Sequence, residues 1–289
     1  MKIALIPVNV GVQSVEQMVA LAQKAESAGV ESVWTFEHVI VPNEYESKYP
    51  YSPNGKMGTT PETNFIDPLI ALTVVAANTT TLRLGTGVNI LSQSNPLFMA
   101  KQAASLDMVS NGRFMLGVGI GWLQEEFLAM GTPFEKRGAR FDDYVEAMKK
   151  VWSGETVEHQ SEFLSWSGFK SYPVPTQTPH LPVIIGGNKG KAFERIAKHG
   201  QGWFSPSMNP DQIKPGLDQL KAACAAEGRD VTDVEVTSMW MFAGDEAMDN
   251  LKRFEDLGVS RLICPLFGLG SSNPMEGIDK LGSELISKL

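Results

Sequence analysis

At 289 residues, 43% hydrophobic and 20% charged, the chain has an ordinary globular composition and the length of one α/β barrel or two small domains. Its net charge of −8, with Lys and Arg scattered, gives no field that draws nucleic acid or an anionic membrane, so neither is an expected partner. No run approaches the length of a membrane span, and the apolar start before Pro7 is too short for a signal peptide. Cys224 and Cys264 lack a C-x-x-C neighbour, so a reduced, cytoplasmic setting is expected.

Strand and helix then alternate along the chain. KIALIP (2–7) is a short apolar strand, and the 3.6-period pattern through Val15, Met18, Val19, Ala22, Ala25 and Ala28 is a helix closed by Gly29. SVWTF (32–36) is a second strand; a helix over 67–79 follows, opened by an Asp cap and an early Pro. LRLGTGV (82–88) is the third strand, 95–112 a helix ending in Asn-Gly, RFMLGVG (113–119) the fourth strand, and 137–152 a helix with one broad apolar stripe. Strand-like alternation and many turn residues over 157–180 predict an inserted hairpin, within an insertion of about 154–180. LPVIIGG (181–187), QGWF (201–204), VEVTSMWMF (234–242) and SRLICPL (260–266) complete eight strands, with helices over 189–200, 210–228, 244–258 and 275–289. No linker, charge block or low-complexity segment divides this series. It predicts one α/β domain over 1–289, a single (β/α)8 TIM-like barrel with an inserted hairpin, whose catalytic face is the C-terminal ends of its strands.

Several strand ends carry candidate chemistry. GVGIGW (117–122) misses the dinucleotide fingerprint G-x-G-x-x-G by one residue, and Trp122 is too bulky for the helix-packing position. Its glycines would either admit a flat ligand to the backbone or serve only a tight turn. FEH (36–38) ends the second strand with His38, the one histidine at a strand C-terminus. Gly85, Thr86 and Gly87 interrupt the third strand, which marks a bulge or a close backbone approach. IIGGNKGKA (184–192) puts glycines before a helix whose free N–H groups suit an anion, although Ala192 stands where a Walker loop needs Ser or Thr. No G-x-S-x-G, no H-E-x-x-H and no His/Asp/Glu set with metal spacing occurs, so hydrolytic and metal readings have little support.

The segments 32–42, 49–57, 67–91, 100–140 and 182–204 resemble the luciferase-like monooxygenase superfamily, most closely its bacterial group of coenzyme F420-dependent oxidoreductases. The resemblance spans roughly residues 1–205, and beyond it only the βα rhythm matches. It implies a barrel holding F420 or a flavin at the strand C-termini, with a cis Gly87–Val88 bond at a bulge backing the ring. Thr86, Gly87, Val88, Asn89, Gly119 and Trp122 are the implied ring contacts, and Gly186, Gly187 and Asn188 meet the cofactor phosphate. His38 is the implied acid or polarising donor, with Glu37 as the next candidate.

Two departures bear on the substrate. Trp122 stands where sugar-phosphate dehydrogenases of the superfamily carry a proton-donating Glu, and Glu37 replaces their Asp. A small, apolar or aromatic substrate near Trp122 is therefore expected instead. The loop 39–64, with its three tyrosines, suits a lid. The reading is hydride transfer with F420; an FMN-dependent monooxygenase, a flavin-binding barrel without catalysis, and a lyase or hydrolase on the same fold stay open. A homodimer is a possible assembly.

Overall fold

The computed structural model describes all 289 residues. Eight parallel strands close into a barrel: β1 (Lys2–Ile6), β2 (Ser32–Thr35), β3 (Arg83–Thr86) continued by β4 (Asn89–Ile90), β5 (Phe114–Gly119), β8 (Val183–Gly186), β9 (Gly202–Ser205), β10 (Glu235–Met239) and β11 (Arg261–Pro265). Pairing of Lys2 with Arg261 and of Leu84 with Phe114 joins the two sides of the ring. Between β5 and β8, the antiparallel hairpin β6 (Val157–Gln160) and β7 (Ser165–Phe169) stands outside the barrel, as its turn-rich sequence predicts.

The helices are α1 (Val15–Ser27), α2 (Pro68–Asn78), α3 (Pro96–Val109), α4 (Gln124–Ala129), α5 (Arg137–Val151), α6 (Ala192–His199), α7 (Pro210–Ala226), α8 (Ala247–Asp256) and α9 (Pro274–Lys280). Starts follow local chemistry. The carboxylate of Asp67 accepts from the N–H groups of Leu69 and Ile70 at 2.9 Å, and Asn95 does the same for Leu97, each just before a proline at the first helical position. The predicted helix 189–200 begins only at Ala192, because Gly190 sits at φ +59°. Over 275–289 the single predicted helix is α9 followed by a π turn at Leu281–Leu285 and a 3-10 turn. No helix is long and apolar enough to cross a membrane.

Strand alternation splits the core in two. In β1, Ile3 and Leu5 join the large cluster between strands and helices, while Ala4 and Ile6 join an inner cluster with Trp34, Met115, Phe204 and Ile263. Beneath that plug the fully buried Arg261 guanidinium bonds Glu31 at 2.8 Å and also Glu235. Although burial opposes it, the guanidinium holds both carboxyls below their usual range. Arg261→Ala is expected to destabilise the fold by about 3–5 kcal/mol, because two half-buried carboxylates lose their shared cation. A denaturant midpoint equal to wild type would count against this account.

Candidate active site

The C-terminal mouth of the barrel gathers side chains far apart in sequence. Asn9, just past β1, is fully buried; its amide nitrogen donates to the carbonyls of Phe36 at 2.8 Å and Ile66 at 2.7 Å, and its oxygen accepts from the Phe36 N–H. That pins the stretch after β2 and fixes where His38 stands. His38 Nδ1 lies 3.0 Å from Oε2 of Glu126, in the first turn of α4. Phe65 and Trp122 pack edge-on against the imidazole, with ring centroids 5.7 and 6.0 Å away. Trp122 in turn meets Tyr45 and Tyr49 at 5.8 and 5.2 Å. One wall is therefore aromatic, with a single titratable imidazole set in it.

A second wall is the break in the third strand. Gly87–Val88 is a cis peptide, so the predicted continuous strand 82–88 stops at Thr86 and resumes at Asn89, still paired with β5. Thr86 Oγ1 both donates to the Gly117 carbonyl, at 2.7 Å, and accepts from its N–H, at 2.8 Å. Such an approach tolerates no side chain: a Cβ on Gly117 would fall 1.6 Å from the Thr86 carbonyl oxygen. Val88 projects toward the ends of β5 and β8, where a Cβ on Gly119 or Gly186 would come within 2.8 or 3.1 Å of its methyls. The result is a side-chain-poor floor across three strands.

Glu37 ties the two walls together. Its carboxyl accepts from the Ile90 N–H and lies 3.2 Å from the Asn89 amide nitrogen, so the strand beyond the break hangs on the end of β2. Burial pushes this carboxyl up to about 8; the Ile90 N–H opposes the shift, and the charges of Glu126 and Asp67 add to it. The buried Oδ1 of Asn89 has no partner, and turning the amide over would let it accept from a protonated Glu37. A carboxyl raised in the fold makes stability fall as pH climbs from its unfolded value near 4.3 to about 8, and level off above. Glu37→Gln, which mimics the protonated acid, is expected to gain in Tm over wild type across that window. A Tm gap that does not change with pH would contradict it.

Gly186 ends β8, and Gly187 and Asn188 begin the turn toward α6, with Gly187 at φ +120° and its carbonyl held by Trp203 Nε1 at 2.7 Å. Arg137 reaches the neighbouring rim, where Nε donates to the Gly121 carbonyl at 3.1 Å. No carboxylate pairs with it, and burial, with Arg140 and Arg195 close by, lowers its affinity for a proton. Arg195, in the first turn of α6, is engaged by Asp142 at 2.8 Å. The Arg137 guanidinium lies 3.9 Å over the Phe134 ring and has no carboxylate partner, which suits an anionic group.

The family model for luciferase-like monooxygenases matches residues 5–254. The chain belongs to the luciferase-like monooxygenase family. It is 32% identical over 246 residues to an uncharacterised protein of Mycobacterium tuberculosis, covering 85% of this chain and 83% of that one. To an FMNH(2)-dependent dimethylsulfone monooxygenase of Pseudomonas putida it is 28% identical over 140 residues, 47% of this chain and 39% of the relative. Among solved structures, an F420-dependent secondary alcohol dehydrogenase in complex with an F420-acetone adduct superposes with a TM-score of 0.78 at 14% identity, over 99% of this chain and 98% of that one. The last is a likeness of fold.

For this luciferase-like chain, the sequence-predicted residues sort by place. His38, Glu37, Thr86 to Asn89, Gly119 and Trp122 converge on one mouth, and Gly186 to Asn188 sit at its rim. Sequence reasoning missed Asn9, Glu126 and Arg137. It weighed a carboxylate at the position of Trp122, whereas Glu126, four residues later in the first turn of α4, meets the imidazole that Trp122 packs against. Gly117, Gly119 and Gly186, packed against Thr86 and Val88, leave few side chains at these strand ends, and with Arg137, which has no carboxylate partner, they fit a flat ring carrying an anionic tail.

Proposed function

We propose that this chain is an oxidoreductase that uses coenzyme F420 to transfer hydride to or from a small, apolar or aromatic substrate. The observation that carries the reading is His38, a titratable ring at the barrel mouth held by a buried carboxylate and set against an aromatic wall. Moving a hydride onto a neutral substrate requires a proton as well, which His38 would take up from solvent and deliver, and in the reverse direction it would accept the proton that the substrate loses. Thr86 to Asn89, Gly119 and Gly186 would back the ring, while Gly187, Asn188 and Arg137 would hold its phosphate. When bound, F420 would supply hydride exchange, whereas reduced FMN would supply oxygen activation.

The residues do the rest. Trp122, Tyr45 and Tyr49 would exclude water and select an apolar partner, with the 39–64 loop as lid. Glu37 keeps the segment after the break in place and the floor flat. A second reading, an FMN-dependent monooxygenase, is favoured by the dimethylsulfone monooxygenase relative. Anaerobic incubation with reduced F420 and a panel of small ketones and enones separates the two. Acceptor-dependent reappearance of oxidised F420 is expected; product only with reduced FMN and oxygen would replace the proposal with the second reading.

A further inference from the structure

We propose that Glu126 is the positioning residue that sets the tautomer of His38, keeping hydrogen on Nδ1 and presenting an unprotonated Nε2 to the mouth of the barrel. The inference rests on the reading of His38 as the proton-handling group. Glu126 is 2% exposed, and its two oxygens have separate tasks. Oε2 meets His38 Nδ1 at 3.0 Å, and Oε1 accepts from the N–H groups of Val39 at 2.6 Å and Ile40 at 3.4 Å. An ionised carboxylate only accepts, so the nitrogen facing it must donate. No protein group bonds Nε2, and the edge-on rings of Phe65 and Trp122 resist rotation of the imidazole.

The same turn of α4 also grips the loop rooted at His38. Glu125 Oε1 accepts from Glu46 N–H at 2.7 Å and Ser47 N–H at 3.2 Å, and the Gln124 N–H donates to Ser47 Oγ at 3.1 Å. Residues 124–126 thus hold the loop at 39–40 and again at 46–47. Alignment of the imidazole and seating of the loop then depend on one short helix.

Glu126→Gln tests the tautomer claim with little change of shape. The amide oxygen must stay with Val39 and Ile40, because both of those donate, which turns the amide N–H toward Nδ1 and forces the proton onto Nε2. Side-chain 15N NMR of histidine-labelled protein, with His38 assigned from the His38→Asn spectrum, reads this directly at a pH where imidazoles are neutral. Expected are Nδ1–H in wild type and in Glu126→Asp, Nε2–H in Glu126→Gln, and a kcat about 10²–10⁴-fold lower in Glu126→Gln with KM little changed. Nε2–H or a doubly protonated ring in wild type, or an unchanged tautomer in Glu126→Gln, would overturn the proposal. If Glu126→Gln does not fold, the wild-type and Glu126→Asp spectra decide by the same criterion. An inverted tautomer with full turnover would uphold the positioning role and remove His38 from the chemistry instead.

Discussion

Gly117→Ala is expected to weaken cofactor binding at least about tenfold, or about 1.4 kcal/mol, and to cost about 1–3 kcal/mol of stability. The added methyl would lie 1.6 Å from a backbone oxygen, that of Thr86, which no rotamer change can move. β3 must retreat from β5, and the exchange of hydrogen bonds between Thr86 Oγ1 and the Gly117 peptide is lost. The break at 87–88 starts one residue later, so the floor of the site tilts with it. Gly119→Ala makes a useful comparison, since its methyl would meet the side chain of Val88, mainly Cγ2, rather than backbone. Fluorescence titration with F420 and a denaturant midpoint check both variants. Wild-type affinity in Gly117→Ala would mean that this floor does not touch the cofactor.

Replacing His38 is the second large effect. General acid–base groups contribute about 10²–10⁴-fold, so His38→Ala is expected to lower kcat by that order with cofactor affinity within a few-fold of wild type. Binding should survive because the residues proposed to hold the phosphate, Gly187 and Asn188 after β8 and Arg137 at the start of α5, do not bond the imidazole. Asn at position 38 recovers part of the loss if the role is a hydrogen bond, and none if a proton is transferred. Single-turnover oxidation of bound reduced cofactor isolates this step. A rate equal to wild type would make His38 a structural residue and turn attention to Glu37.

The barrel was legible because each strand is a short apolar run bounded by turn residues, and because Asp67-Pro68 and Asn95-Pro96 announce their helices. Its site was legible only where function interrupts a local pattern. Glycines interrupt the apolar runs of the third and fourth predicted strands, and His38 follows the apolar run of β2, three residues past its end at Thr35, so those positions stood out. Glu126 left no such mark. α4 has six residues and only Phe127 as an apolar residue fully inside, too little for a period to show, and its partner His38 lies 88 positions away. Arg137 opens α5 as one basic residue among Lys136 and Arg140, and only the fold distinguishes it: Arg140 is spent on three carbonyls, Ser92, Pro133 and Glu135, while Arg137 keeps donors free. Asn9 reads as an ordinary residue after a strand until its amide is seen bridging Phe36 and Ile66.

The 39–64 loop divides the same way. Its length and tyrosines were visible, and Tyr45 and Tyr49 do pack on Trp122. Its attachment to α4 through Gln124 and Glu125 is long-range and could not be read locally.

The most direct test of the central claim is a fluorescence titration of the purified protein with F420 and with FMN, side by side at one salt concentration. F420 is expected to bind in the low micromolar range or tighter, about −8 kcal/mol or stronger, with FMN weaker. Loss of affinity in Arg137→Ala under the same conditions would tie that binding to the rim between β5 and β8. Tight FMN binding without F420 binding would contradict the hydride-transfer account, and binding of neither would remove the proposed site altogether.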